Sequence, residues 1–292
     1  MCDEDSIEDT KALLRQSTAL TRRRFGALSA ASGLTMMLPP VIGAAELTES
    51  DVNITTPDGV ADAYFVHPSS GRHPGVLMWT DILGLRPAFR EMGKRLAASG
   101  YCVLVPNPFY RVAKAPVVAE GASFDDDATR QRLMSLMATL TPEVQFSDAR
   151  AFVGYLGSQP TVNRKRKMGT AGYCMGGPMT MRTAAALPER IGAGASFHGA
   201  NLANDKPDSP HLLVPKMKAR YLIAIAESDD QRDPAAKTLL RDAFAKAGLT
   251  ADIEVYAGTV HGWCALDSKV YNQPQAQKAW GRMLTLFQSA LG

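Results

Sequence analysis

The residues with the clearest chemical use lie in Met168-Gly169-Thr170-Ala171-Gly172-Tyr173-Cys174-Met175-Gly176-Gly177, where an apolar run ends at a cysteine flanked by glycines and a helical pattern begins. G-x-C-x-G-G in that setting is a nucleophile elbow with cysteine at the reacting position. The central residue sits in a strained turn, so the positions two residues to either side must lack a Cβ for strand and helix to approach. Gly172 and Gly176 meet that need. At the start of a helix Cys174 faces the positive end of the macrodipole, which favours thiolate over thiol. The Met175 N–H, unpaired in the first turn, is expected to receive a developing oxyanion.

A thiol nucleophile needs a base and a group to orient that base, and behind such an elbow the chain order is nucleophile, acid, histidine. The chain has five histidines, His67, His73, His198, His211 and His261. Only His211 and His261 follow Cys174 at any distance. His211, in Ser209-Pro210-His211, reads as a surface loop residue. His261, in Thr259-Val260-His261-Gly262-Trp263, falls just past the last expected strand, where the base belongs. Between them Tyr221 to Ala226 runs into Glu227-Ser228-Asp229-Asp230. That puts carboxylates at the carboxyl edge of a sheet, where ligands bind in open α/β folds. Asp229 is the expected orienter of His261, with Asp230 as the alternative one residue on.

The elements that must position these groups follow from the hydrophobic pattern. Short apolar or β-branched runs alternate with longer stretches of helical period, the signature of a mostly parallel sheet covered on both faces. The expected strands are residues 61–67, 75–80, 101–106, 167–173, 192–197, 221–226 and 253–257, and the expected helices 87–99, 126–140, 142–156, 175–187, 234–247 and 274–291. Pro87, Pro142, Pro234 and Pro274 sit near helix starts, where a missing N–H costs nothing, and Gly100 and Gly248 near helix stops. The Asp125-Asp126-Asp127 run reads as a helix N-terminus rather than a metal site. No repeat or low-complexity linker divides residues 46–292, which read as a single domain.

Composition narrows the function. The chain has 292 residues, 46% of them apolar, enough to bury a full core, and its net charge of +3 is not gathered into basic runs that would track a phosphate backbone. Nucleic acid is therefore not an expected partner. No dinucleotide fingerprint, phosphate-binding loop or metal-ligand spacing is present, so no cofactor and no metal are expected. Thr21-Arg22-Arg23-Arg24-Phe25, a mildly apolar stretch to Ile42 and the small residues Gly43-Ala44-Ala45 resemble a twin-arginine export signal. Residues 1–45 are accordingly expected to be removed, leaving a soluble periplasmic protein of residues 46–292 with no stable membrane insertion, whose one macromolecular partner on this reading is the twin-arginine export machinery. Past that segment lie Cys102, Cys174 and Cys264, an odd number, so at least one is free; a Cys102–Cys264 disulfide is left open by the spacing.

Together these residues resemble the dienelactone hydrolase family, the cysteine branch of the α/β-hydrolases. The resemblance rests on Gly172-Tyr173-Cys174-Met175-Gly176-Gly177, with support from Thr80-Asp81-Ile82-Leu83-Gly84, Gly100 to Pro106, Arg130-Gln131-Arg132 and the His261-Gly262 turn. It implies the α/β-hydrolase fold and hydrolysis of a small ester or an enol-lactone such as carboxymethylenebutenolide. The implied nucleophile is Cys174, the base His261 and the orienter Asp229, with an oxyanion hole from the N–H groups of Met175 and Ile82. The family's thiol-modulating glutamate matches Asp81, one methylene shorter, and the first of its two substrate-binding arginines matches Arg132. The second would fall at Ala265, and an expected aromatic residue is Leu136. Half of a bidentate carboxylate clamp is thus missing, which bears on the substrate more than on the chemistry. His198 and Trp263 read either as pocket-lining substrate contacts or as ordinary packing. The competing functions are hydrolysis of a neutral ester or other carbonyl compound, and a non-catalytic binding or redox-sensing protein on the same fold.

Overall fold

A computed structural model describes residues 45–291. The expected export signal therefore lies, but for Ala45, outside the described residues. Eight strands, β1 (Leu47–Thr56), β2 (Gly59–Pro68), β3 (Gly75–Trp79), β4 (Cys102–Pro106), β5 (Met168–Tyr173), β6 (Ile191–Phe197), β7 (Arg220–Ala226) and β8 (Ala251–Tyr256), form one sheet in the order β1-β2-β4-β3-β5-β6-β7-β8. β1 and β2 form an antiparallel hairpin and β2 meets β4 antiparallel, while the pairs from β4 through β8 are parallel. Parallel strands need crossovers, and the helices supply them. These are α1 (Pro87–Ala98), α2 (Asp127–Ala138), α3 (Pro142–Ser158), α4 (Gly176–Ala186), α5 (Glu227–Arg232), α6 (Ala236–Lys246) and α7 (Gln273–Leu291). Among the described residues no helix is long and apolar enough to cross a membrane.

Side chains alternate across each strand and so build two cores. Leu77, Trp79, Cys102 and Leu104 join one with α2, α3, α4 and α6, while Val76, Met78, Val103 and Val105 join the other with α1 and α7. Central strands β3, β4 and β5 are buried along their whole length, which is why β3 and β4 read as continuous apolar runs. Cys102 and Cys264 belong to opposite cores and are not joined, so the disulfide does not form.

The expected strands and helices are present with ends shifted by a few residues. Pro87 and Pro142 open their helices as anticipated, and the Asp126 carboxylate accepts the Thr129 N–H at the start of α2. Gly100 and Gly248 have φ of 95° and 65°, the left-handed conformation of a helix stop. Pro234 instead precedes its helix, because the chain turns once more before α6 begins at Ala236. Strand β1 escapes sequence reading altogether: Leu47–Thr56 is an edge strand with only Ile54 and Thr56 buried, so it carries no apolar run.

Candidate active site

The elbow is built by close backbone approach. Cys174 has φ of 51°, a left-handed conformation that a non-glycine residue adopts only when its surroundings enforce it. Its N–H donates to the Phe197 carbonyl (3.0 Å) and its own carbonyl accepts from Gly177 and Ala200. A Cβ on Gly172 would lie 2.2 Å from the Gly176 carbonyl oxygen, and one on Gly176 2.7 Å from the Thr80 oxygen. The two glycines therefore do what the motif requires, and the second also brings the Thr80 to Gly84 loop against the start of α4. Among the described residues no hydrogen-bond acceptor meets the N–H of Met175 or of Ile82. The Met175 N–H opens the turn at the elbow, and the Ile82 N–H belongs to the loop that packs against Gly176.

On the facing side, Asp229 lies in the first turn of α5 and His261 in the turn after β8. Asp229 Oδ1 and Oδ2 lie 3.0 and 2.9 Å from His261 Nδ1, and the His261 N–H donates to Ser228 Oγ (3.1 Å). Asp230 turns away to Lys237 at 2.6 Å, so the structure brings Asp229 rather than Asp230 to the histidine. Arg232 Nη1, 3.3 Å from Asp229 Oδ1, adds a second positive partner. His261 Nε2 is buried with no nitrogen or oxygen partner, which leaves it for the Cys174 sulfur. Burial alone would lower the His261 pKa, yet the charges of Asp229 and Cys174 and hydrogen bonds to both raise it to about 10. Burial would raise that of Asp229, but His261 draws it below the usual carboxylate range. Ser228 could not be found from sequence, since an isolated serine in an acidic turn gives no signal.

The other expected site residues are placed differently from one another. Asp81 gives both carboxylate oxygens to Arg86 (2.6 and 2.9 Å) and accepts the Leu83 N–H, so these bonds commit it to an arginine and its own turn rather than to the thiol. Arg132 donates Nε to the Val117 carbonyl (2.9 Å) and, among the described residues, pairs with no carboxylate. It borders an open cavity of about 550 Å³ whose wall is otherwise mainly Pro116, Val117, Val118, Ala119 and Ala122. Val117 also packs near Gly84, which links this cavity to the loop carrying Ile82.

His198 and Trp263 are 1% and 0% exposed. Trp263 stacks on Tyr256 at 4.8 Å, and the His198 ring meets that of His261 edge-on at 5.2 Å. Complete burial, with repulsion from His261, pushes the His198 pKa down to about 3, so a neutral ring backs the charged one. Ala265, at the position of the absent second arginine, is buried too.

Comparison with known proteins covers the stretch of chain that carries these residues. A family model described as "Dienelactone hydrolase family" matches residues 61–291. A protein of Methylorubrum extorquens named "Putative carboxymethylenebutenolidase" is 27% identical over 291 residues, covering 96% of each chain. One of the same name from Synechocystis is 28% identical, covering 78% of this chain and 91% of its own. A crystal structure from Klebsiella pneumoniae titled "Putative Dienelactone Hydrolase" superposes with a TM-score of 0.71 at 22% identity, covering 83% of this chain and 99% of that one. At that identity the structure speaks for the fold, an α/β-hydrolase fold.

Proposed function

Since the chain belongs to the dienelactone hydrolase family, we propose that it cleaves a small ester or enol-lactone through a Cys174–His261–Asp229 triad. The observation that carries this reading is the meeting of a cysteine held at φ 51° on a glycine elbow with a buried His261–Asp229 pair at 2.9 Å. In the resting site the proton sits on His261, and attraction within the pair keeps Cys174 as thiolate. The sulfur attacks the substrate carbonyl carbon, and the C–S bond forms as the carbonyl electron pair moves to oxygen. The Met175 and Ile82 N–H groups receive that oxyanion. Collapse breaks the acyl C–O bond, and His261 Nε2 passes its proton to the departing alkoxide or enolate. A water molecule, deprotonated by His261, then attacks the thioester and releases the acid, restoring thiolate and imidazolium.

Arg132 supports a substrate that presents one anionic group, and the apolar cavity beside it supports an uncharged body of modest size. With Ala265 in place of a second arginine, the demand for an acidic substrate is relaxed, and neutral esters belong in the range. The arginine pair and small-residue run near the chain start support export, which puts this hydrolysis in the periplasm. The test compares a chromogenic short-chain ester with a dienelactone, before and after iodoacetamide, in the wild type and in Cys174→Ser. Turnover that vanishes on alkylation and in the variant is expected. Undiminished turnover in Cys174→Ser would refute the triad. Fast alkylation of Cys174 without turnover of either substrate would favour a binding or redox-sensing role.

A further inference from the structure

We propose that Arg86 is a positioning residue that locks the loop carrying one oxyanion donor to the loop carrying the base, so that both stay aligned on Cys174. The proposal rests on the hydrolytic reading above. Arg86 lies just before α1, with its side chain only 10% exposed. One edge grips Asp81 (Nη1 to Oδ1 2.6 Å, Nη2 to Oδ2 2.9 Å) and another grips Asp267 (Nε to Oδ2 2.6 Å, Nη2 to Oδ1 2.8 Å). Nη1 also donates to the Gly84 carbonyl (3.2 Å), and the guanidinium lies over the Phe89 ring at 5.0 Å. Two carboxylates from segments far apart in sequence thus share one buried cation, each through two bonds. That geometry is available to arginine and not to lysine.

What the two carboxylates hold decides the role. Asp81 directly precedes Ile82, so the peptide that offers the Ile82 N–H is anchored at its first residue. The turn closes on Asp81 itself, through the Leu83 N–H to its carboxylate and the Gly84 N–H to its carbonyl. Asp267 ends the segment that begins at His261. That segment has its own anchors at the histidine, in Asp229 and Ser228. The oxyanion loop packs against Gly176 and reaches the base side through Arg86. Cutting the clamp should therefore leave the thiol, base and acid together while freeing the Ile82 donor. A donor misaligned only in the transition state lowers kcat and spares KM.

The experiment measures four quantities in the wild type, Asp267→Asn, Arg86→Lys and Arg86→Ala. These are kcat and KM on a chromogenic ester, the rate of Cys174 alkylation by iodoacetamide followed on the Cys174 peptide, and the thermal midpoint. Alkylation needs the thiolate but no oxyanion hole, so it separates the two parts of the site. The expected result is a kcat lowered roughly tenfold in Asp267→Asn and about a hundredfold in Arg86→Ala, by analogy with the loss of one oxyanion donor. KM and alkylation stay within about twofold, Arg86→Lys recovers little, and added guanidinium ion restores part of kcat in Arg86→Ala but none in Cys174→Ser. If Arg86→Ala does not fold, Asp267→Asn decides, since its carboxylate is one-third exposed. Wild-type kcat in folded Asp267→Asn and Arg86→Lys would overturn the proposal, as would kcat and alkylation falling together. Absence of turnover in the wild type itself would instead overturn the hydrolytic reading, and the positioning role with it.

Discussion

Replacing Asp229 by asparagine keeps the shape of the side chain and removes the charge that faces His261 Nδ1 at 2.9 Å. An imidazolium held from an ordinary 6.5 up to about 10 is stabilised over the neutral ring by about 5 kcal/mol. Burial works against that figure, and of the attractions that outweigh it the Asp229 charge is the strongest. Assigning half of the net to Asp229 predicts that Asp229→Asn weakens the thiolate–imidazolium pair by roughly 2–3 kcal/mol, about a hundredfold at neutral pH. The asparagine amide can also donate to Nδ1, which forces the wrong ring tautomer and adds to the loss. The assay is the rate of Cys174 alkylation across about pH 5 to pH 10, with ester turnover in parallel. In the wild type the rate should be high and level through neutral pH, because the imidazolium persists until the pH nears 10. In Asp229→Asn it should be low at neutral pH and climb toward the ordinary thiol range of about 8.5. Superimposable alkylation profiles, at equal thermal midpoint, would refute the assignment of Asp229 as the group that charges His261.

Further outcomes follow from burial and backbone geometry. Gly172→Ala puts a Cβ 2.2 Å from the Gly176 carbonyl oxygen and should cost at least about 3 kcal/mol in urea unfolding together with nearly all activity. Gly281→Ala, on α7 with nothing within 4 Å of the new Cβ, should instead gain roughly 0.5–1 kcal/mol; a loss there would contradict the packing. Folded His198 stays neutral down to about pH 3, whereas an unfolded histidine takes its proton near 6.5. Its contribution is therefore complete above pH 6.5 and is lost as the pH falls from there toward 3, at up to about 1.4 kcal/mol per pH unit. His198→Phe should flatten the dependence of stability on pH between about 6 and 4 by one proton, and an unchanged slope would show that His198 is not the group responsible. Peptide mapping under non-reducing conditions should recover Cys102 and Cys264 as separate thiols, because they lie in opposite cores; a linked peptide would disprove that placement.

Much of this protein can be read from local pattern. The elbow is local because its glycines, cysteine and following helix are consecutive, and the clash distances at Gly172 and Gly176 are the reason those residue types stand there. The central strands are legible because they are buried on both faces, and the chain order of cysteine, acid and histidine follows from the order of the parallel strands. What local pattern could not decide depends on contacts between distant segments. Asp229 and Asp230 are adjacent and alike, and only the path of α5 sends one to His261 and the other to Lys237. Asp81 looks free to meet the thiol until Arg86 and Asp267, 181 residues apart, close on each other beside it. Strand β1 has almost no apolar pattern because an edge strand is defined by its partner's hydrogen bonds rather than by what it buries. Residue types and their order thus determined the chemistry this chain can attempt. Tertiary structure decided which carboxylate meets His261, which is bound to an arginine, and which histidine is kept neutral behind the charged one, because hydrogen bonding and desolvation depend on what the fold brings within about 3 Å.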